Sequence, residues 1–292
     1  MHLIVNPAAA GGRLGKRWND IRARLARVGV NIPFTLTRAP AHATELAAEA
    51  VARGSQVVVA AGGDGTICEV VEGLHRAGRG TLGILPLGTG NDAARTLRLP
   101  LHLEEAARAL SSGVRRRVDL IRAGDRVVLN AIGIGLLGDI NVRAQRVKYV
   151  RGIAAYLATA AVSLFKYRGP TVEVLADRFS YCGSLLIMAI HSGPSTGGGF
   201  RLTPGARPDD GQLDACLVEN LPPRKRLHRL LCALRGTLAE QPGSHPFSFT
   251  RLELRTETRL PAHLDGNPWH IEPPGVQFEV LPHALEVVAP PA

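Results

Sequence analysis

Three short glycine-rich segments carry residue types that could handle a phosphate: Asn6-Pro7-Ala8-Ala9-Ala10-Gly11-Gly12, Gly62-Gly63-Asp64-Gly65-Thr66 and Pro86-Leu87-Gly88-Thr89-Gly90-Asn91-Asp92. Glycine lets the backbone approach an anion closely. A helix starting just after such a turn adds N–H donors and the positive end of its dipole. The hydroxyls of Thr66 and Thr89 could bind the same anion. Asp64 and Asp92 would repel a bare phosphate. Their presence makes chemical sense if a divalent cation bridges them to it, or if one accepts the proton of an attacking hydroxyl. Each turn alone is weak evidence, since Gly-Gly-Asp-Gly is most often only a tight turn. Gly88-x-Gly90-x-x-Ala93 meets the loose dinucleotide pattern, but it follows a late strand, which disfavours a dehydrogenase. No G-x-x-x-x-G-K-[ST] segment is present, so a P-loop NTPase is excluded.

Such turns need a strand before and a helix after, and the flanking sequence supplies both. Leu3–Val5 is a short apolar run, after which Trp18, Ile21, Leu25 and Val28 recur at helical spacing. Asn31–Leu36 reads as a strand and Ala43–Arg53 as a helix. Val57–Ala61 is continuously apolar, as a buried parallel strand is, and a helix follows over Ile67–Ala77. Thr81–Leu87 is a further buried strand. This alternation predicts βαβ units and a parallel sheet whose carboxyl ends line one crevice. After Leu120 the pattern changes. Val127–Ile132, Thr171–Leu175, Ser184–Ile190, Leu213–Val218, Phe247–Arg255 and Val276–Leu281 read as strands. Only two helices intervene, around Ile153–Phe165 and Leu227–Leu238. The expected fold is a Rossmann-like parallel α/β domain over 1–120 and an antiparallel β-sandwich domain over 121–292, with the last strand free to return to the first domain.

The 292 residues are enough for two domains with cores that need no disulfide. With 35 Lys+Arg against 25 Asp+Glu, the net charge of +10 favours a polyanionic partner: nucleic acid, an anionic membrane face or a phosphate-bearing substrate. Only four of the basic residues are Lys, so genome composition accounts for part of the excess. Nucleic acid is disfavoured, because aromatics make up only 4% and no recognised binding motif occurs. Cys68, Cys182, Cys216 and Cys232 contain no C-x-x-C pair, which excludes the usual thiolate zinc spacing and fits free thiols in a reducing cytoplasm. The N-terminal apolar run is too short for a signal peptide, and the uncharged stretch Gly152–Phe165 is too short to span a bilayer. A soluble cytoplasmic protein is expected, at most touching the inner face of a membrane.

In combination the motifs are far more specific. Asn6-Pro7, the run Gly-Gly-Asp-Gly-Thr-Ile-Cys-Glu-Val-Val-Glu-Gly over 62–73 and Pro-Leu-Gly-Thr-Gly-Asn-Asp over 86–92 resemble the diacylglycerol kinase catalytic domain, a family that includes bacterial lipid kinases, sphingosine kinases and ceramide kinases. Gly197-Gly198-Gly199 followed by Pro204-x-Ala206-x-x-x-Asp210-Gly211-x-Leu213 is similar to the family's second-domain segment. The resemblance implies an ATP- and Mg²⁺-dependent lipid kinase with ATP bound between the domains. Asn6, Pro7, Ala8, Ala9, Ala10, Thr37, Gly63, Asp64, Gly65, Thr66, Ile67, Cys68, Glu69 and Thr89 would contact nucleotide. Asp64 and Asp92 would be the acidic pair on the phosphate and Mg²⁺ side. A second, structural Mg²⁺ would be held by the Asp210 carboxylate, the carbonyls of Arg207 and Gln212, and Asp119 through water. The alternative for Asp209-Asp210-Gly211 is a plain hairpin turn. The implied partner is a lipid substrate at a membrane surface. Oligomeric state, a homodimer included, is left open.

One departure matters. Where the family carries Asp-Gly-Glu, whose Glu is assigned as the base, this chain has Asp265-Gly266-Asn267. Asn267 can hydrogen-bond a hydroxyl but cannot take its proton. Asp265 or Asp64 could serve instead. The competing readings are a weak or inactive relative that binds nucleotide or lipid, and a kinase for a non-lipid hydroxyl. Arg224-Lys225-Arg226-Leu227-His228-Arg229 opens a helix with Leu227, Leu230, Leu231 and Leu234 on its apolar side, read either as a solvated helix or as one that docks on anionic lipid.

Overall fold

A computed structural model describes residues 1–146 and 162–290. Most of the helix expected around Ile153–Phe165 lies outside the described residues; 162–166, at its end, are helical. The chain divides into two compact units, Met1–Leu120 with His283–Ala292, and Ile121–Pro282.

The first unit is built on a parallel sheet. Strands β1 (His2–Val5), β2 (Phe34–Leu36), β3 (Val57–Gly62) and β4 (Thr81–Pro86) lie in the order β2-β1-β3-β4. The end of β15 (Gly275–Ala289) joins parallel to β4, pairing Glu286 with Thr81 and Val287 with Leu82. Every residue of β3 and β4 is buried, which explains their unbroken apolar runs. Helices α1 (Arg13–Arg27) and α5 (Leu103–Ser112) share a core with Val5, Val59 and Leu85, contributing Trp18, Ile21, Leu25 and Leu110. Helices α2 (His42–Ala52) and α3 (Asp64–Ala77) pack so closely that a Cβ on Gly73 would lie 2.3 Å from the Thr44 carbonyl.

The chain turns from β1 toward β2 on one side and continues to β3 on the other. The crevice at the carboxyl ends of β1 and β3 is therefore the switch point where parallel α/β sheets bind ligands. Helix α3 begins three residues earlier than its apolar periodicity predicts, at Asp64, because Gly63 and Asp64 form its first turn. The next turn leads into the short α4 (Asp92–Thr96).

The second unit is an antiparallel β-sandwich. One sheet contains β8 (Thr171–Ala176), β12 (Arg251–Thr256) and the first part of β15. The other runs β11 (Ser244–Phe249), β10 (Leu213–Glu219), β9 (Phe179–His191), β7 (Ala131–Gly135), β13 (Leu260–Leu264), β14 (Asn267–Ile271). Strand β9 serves both sheets, pairing with β8 over Phe179–Ser184 and with β7 and β10 beyond. Helix α6 (Leu136–Arg146) and helix α7 (Pro223–Arg235) pack on the second sheet, with Leu136, Ile140, Val218 and Cys232 in their common core.

Several sequence expectations are corrected. Val127–Ile132 is two strands, β6 (Arg126–Val128) and β7, broken at Leu129-Asn130. Phe247–Arg255 is likewise divided between β11 and β12. Arg115, Arg116 and Arg117, at the expected domain boundary, lie within β5 (Val114–Ala123). The β13–β14 hairpin has no counterpart among the expected strands. Its two-residue turn is Asp265-Gly266, with φ of 45° and 83°, whereas Asp209-Asp210-Gly211 closes no tight hairpin but ends the long connection from β9 to β10. The apolar side of α7 also points the other way: Leu227, Leu231 and Leu234 are exposed, and Leu230 is only partly buried.

Candidate active site

Asn6 leaves β1 at its carboxyl end and ties two of the turns together. Its N–H donates to the Ala61 carbonyl, its Nδ2 donates to Thr66 Oγ1 at 3.0 Å, and its Oδ1 accepts the Ala8 N–H. Ala10, Gly11 and Gly12 then run with φ of 53°, 70° and 83° in a tight turn before α1. Thr37 closes the end of β2, its N–H donating to the Val5 carbonyl.

The second and third turns touch through their backbones. The Leu87 N–H donates to the Gly62 carbonyl, and a Cβ on Gly88 would lie 2.4 Å from the Gly63 Cα. Asn91 holds the third turn shut. It adopts a left-handed φ of 55°, its Oδ1 accepts the Gly88 N–H at 3.0 Å, and its Nδ2 donates to the Gly88 carbonyl. The residues that the resemblance assigns to nucleotide include neither Asn91 nor Gly88. The signal is present, because Asn is one of the few residues that enter the left-handed region readily.

Asp64 and Asp92 each occupy the first position of a helix, α3 and α4. Asp64 Oδ1 accepts the Ala93 N–H at 3.0 Å, which brings its carboxylate to the residue next to Asp92. Burial pushes the Asp64 carboxyl above the usual range, and N–H groups of α4's first turn and of Asp64 itself offset only part of that. Asp64 remains partly open to solvent, while Asp92 is 6% exposed. Two carboxylates at adjoining helix N-termini, above a glycine cradle, form a donor set of hard oxygens suited to Mg²⁺ and phosphate together.

Other residues expected at the nucleotide have different surroundings. Ile67 and Cys68 are buried in α3, so only their backbone could reach a ligand. Glu69 turns its carboxylate to the start of α2, where Oε1 and Oε2 accept the N–H groups of Ala41 and Ala43. Thr66 Oγ1 is engaged by Asn6, and Thr89 is exposed.

In the second unit, Asp265 is 4% exposed and holds the break between β6 and β7. Its Oδ2 accepts the N–H groups of Leu129 and Asn130, its Oδ1 accepts that of Ala131 at 2.7 Å, and its own N–H donates to the Ala131 carbonyl. The structure thus gives the Asp265 carboxylate three backbone donors, a clamping role beside the base role considered for it from sequence. Asn130, which sequence did not single out, extends the clamp through Nδ2 to the Ser195 carbonyl. Asn267 follows the hairpin turn and pairs with Leu264. Beside it, burial lowers His263 to about 4, and burial together with the charge of His263 lowers His191 to about 3.

Arg207, Asp210 and Gln212 are exposed on the β9–β10 connection, where Asp210 Oδ1 accepts the Gln212 N–H. Asp119 is fully buried in the first unit, and its Oδ1 accepts the His283 N–H at 2.8 Å. Among the described residues, no three His, Cys, Asp or Glu side chains gather as a metal site.

Residues 1–123 match the model of the diacylglycerol kinase catalytic domain, and residues 130–289 match that of the YegS C-terminal NAD kinase beta sandwich-like domain. A probable lipid kinase YegS-like from Pseudomonas savastanoi pv. phaseolicola is 34% identical, over 93% of this chain and 89% of the relative. A diacylglycerol kinase from Staphylococcus saprophyticus is 27% identical, over 91% and 90% of the two chains. A crystal structure from Bacillus anthracis str. Sterne, assigned there to the diacylglycerol kinases, superposes with a TM-score of 0.80 and 27% identity, covering 99% of this chain and 96% of the other.

Proposed function

Because this chain belongs to the diacylglycerol kinase family in its YegS-like lipid kinase form, we propose that it transfers the γ-phosphoryl group of ATP to the hydroxyl of a diacylglycerol-like lipid in the presence of Mg²⁺. The observation that carries the reading is the Asp64 carboxylate, seated at the first turn of α4 beside Asp92 and above the glycine turns.

The triphosphate lies along the turns after β1, β3 and β4, where the left-handed run Ala10–Gly12 leaves backbone open at Gly12 and the Gly63–Gly88 contact holds the second and third turns together. Asp92, together with phosphate oxygens, would hold the Mg²⁺, which would neutralise charge on the transferring phosphoryl group and leave the Asp64 carboxylate for the proton. The lipid hydroxyl oxygen attacks the γ-phosphorus, the bond to the β-phosphate oxygen breaks, and the hydroxyl proton passes to Asp64. Its raised carboxyl pKa makes Asp64 a better proton acceptor than an ordinary surface aspartate. Asp265 takes no part in this transfer, since its carboxylate is engaged by three backbone N–H groups. We further propose that the Asp210 carboxylate and the carbonyls of Arg207 and Gln212 seat a structural Mg²⁺. That site would show as Mg²⁺-dependent thermal stabilisation absent in Asp210→Ala.

A second reading is favoured by Asn267 alone: a member with a degenerate site that binds ligand and turns over slowly. Lipid phosphorylation from labelled ATP separates the two. Measurable turnover by the native chain, changed less than about tenfold by Asn267→Glu, supports the kinase. No turnover by the native chain, with strong gain in Asn267→Glu, supports the degenerate site; a lost base is worth about 10²–10⁴ in rate.

A further inference from the structure

Ten large apolar side chains are exposed among the described residues, and five of them fall in two short segments of the second unit. Leu227, Leu231 and Leu234 stand on α7 at 56%, 46% and 50% exposure, and Val162 and Phe165 stand at 45% and 67% on the helical residues 162–166. The segments are joined: Arg226 is buried, and its Nη1 donates to the carbonyls of Leu164 and Tyr167 at 2.7 and 2.9 Å. Around the leucines stand the exposed cations Arg224, Lys225 and Arg235, and around Phe165 stand Lys166 and Arg168. No Asp or Glu occurs between Glu219 and Glu240, or over 162–172. An open groove of about 600 Å³ separates the two segments, lined by Phe165, Lys166, Arg168, Asn220 and Pro223 among others.

A helix normally turns its leucines inward, so a stripe that turns them outward needs a partner. The surrounding charge selects it. A second copy of this face would set Arg against Arg, and a nucleic acid would leave the leucines in water. A bilayer surface rich in anionic phospholipid satisfies both features, because leucines enter the acyl boundary while Arg and Lys meet phosphates at headgroup depth. We propose that α7 and residues 162–168 form a docking face for anionic membranes, with the Lys166–Arg168 groove receiving a phospholipid headgroup. This deepens the lipid-kinase reading by naming where the chain meets its substrate's phase, and it rests on that reading only for its purpose.

Vesicle sedimentation without ATP tests the docking face separately from catalysis. The full chain is expected to bind vesicles of phosphatidylcholine with phosphatidylglycerol about tenfold or more tightly than phosphatidylcholine alone, with the preference weakening in high salt. Leu227→Glu with Leu231→Glu, and separately Arg224→Glu with Lys225→Glu, should each lower that binding about tenfold or more. Turnover of a water-dispersed short-chain diacylglycerol should stay at the native level in both. If the leucine pair melts early, Leu234→Glu repeats the measurement at a separate exposed position. Equal binding to both vesicle types, no binding, or native-level binding by the leucine variants would overturn the proposal. So would a leucine variant that converts a native dimer to monomer, because a second copy would then cover the face. Vesicle binding with no lipid turnover would leave the docking face standing and count against the kinase reading alone.

Discussion

Asp64 Oδ1 accepts the N–H of Ala93, so the first residue of α3 caps the first turn of α4 and joins two of the three glycine-rich turns. An aspartate used only as a cap would gain from ionisation, since the helix N-terminus favours negative charge. Here burial outweighs that, and the carboxyl sits above its usual range. The fold holds a carboxylate where ionisation costs stability, an arrangement typical of sites kept for chemistry.

Asp64→Asn keeps an oxygen for the Ala93 N–H and removes the charge. Lipid phosphorylation should fall by about 10²–10⁴. Stability should move the opposite way. With the folded pKa raised above the unfolded one, the favourable contribution is complete below the unfolded value and is lost as pH rises through the folded value. In metal- and nucleotide-free buffer the variant should therefore melt above the native chain near neutral pH. The gap should close once pH falls below the ordinary carboxylate range. A lower melting temperature at neutral pH would count against a destabilising charge at Asp64.

Gly88→Ala tests the contact between the second and third turns. The added Cβ would meet the Gly63 backbone at 2.4 Å, which no rotamer change can relieve. The turns must separate, at a cost of about 1–3 kcal/mol, typical of overpacking. ATP affinity, read by calorimetry on the folded variant, should weaken because the backbone cradle widens. Native affinity in Gly88→Ala would remove these two turns from the nucleotide site.

The cradle was legible in sequence because its parts are local. Glycine runs, the buried strand Val57–Ala61 and the Asp-bearing turns lie within a few residues of each other, and apolar continuity marks the strands before them. What depended on distant partners was not. Val114-Arg-Arg-Arg-Val reads as a charged boundary, yet Arg116 and Arg117 donate to the carbonyls of Leu97 and His283 and the segment is a strand. Asp265 reads as a candidate base because its three N–H partners are about 135 positions away in sequence. The leucines of α7 have helical spacing, but spacing does not say which side faces the core, and Arg226, Cys232 and Ala233 rather than the leucines are buried there.

His191 and His263 predict an acid-sensitive second unit. Both are held neutral, at about 3 and about 4, chiefly by burial. A folded pKa depressed below the unfolded one gives a contribution that is present above the unfolded value and lost as pH falls toward the folded value. Denaturant midpoints should therefore decline from about pH 6.5 downward, the ordinary range of histidine titration. His263→Gln should flatten that decline relative to the native chain. An unchanged slope would mean that other groups set the acid limit.

Asp265 separates a structural from a chemical use of the same motif. Asp265→Ala leaves the N–H groups of Leu129, Asn130 and Ala131 without their carboxylate, at roughly 1–3 kcal/mol for each one left buried and unsatisfied. The losses are coupled and will not simply add, but a large fall in melting temperature is expected. Asp265→Asn retains one carbonyl oxygen as acceptor, so its melting temperature should lie between the two. The discriminating readout is turnover per folded molecule. A clamp predicts that Asp265→Asn, assayed well below its melting temperature, keeps kcat within about tenfold of native. A base predicts a loss of about 10²–10⁴ with little change in stability. The second outcome would return the proton-accepting role from Asp64 to Asp265.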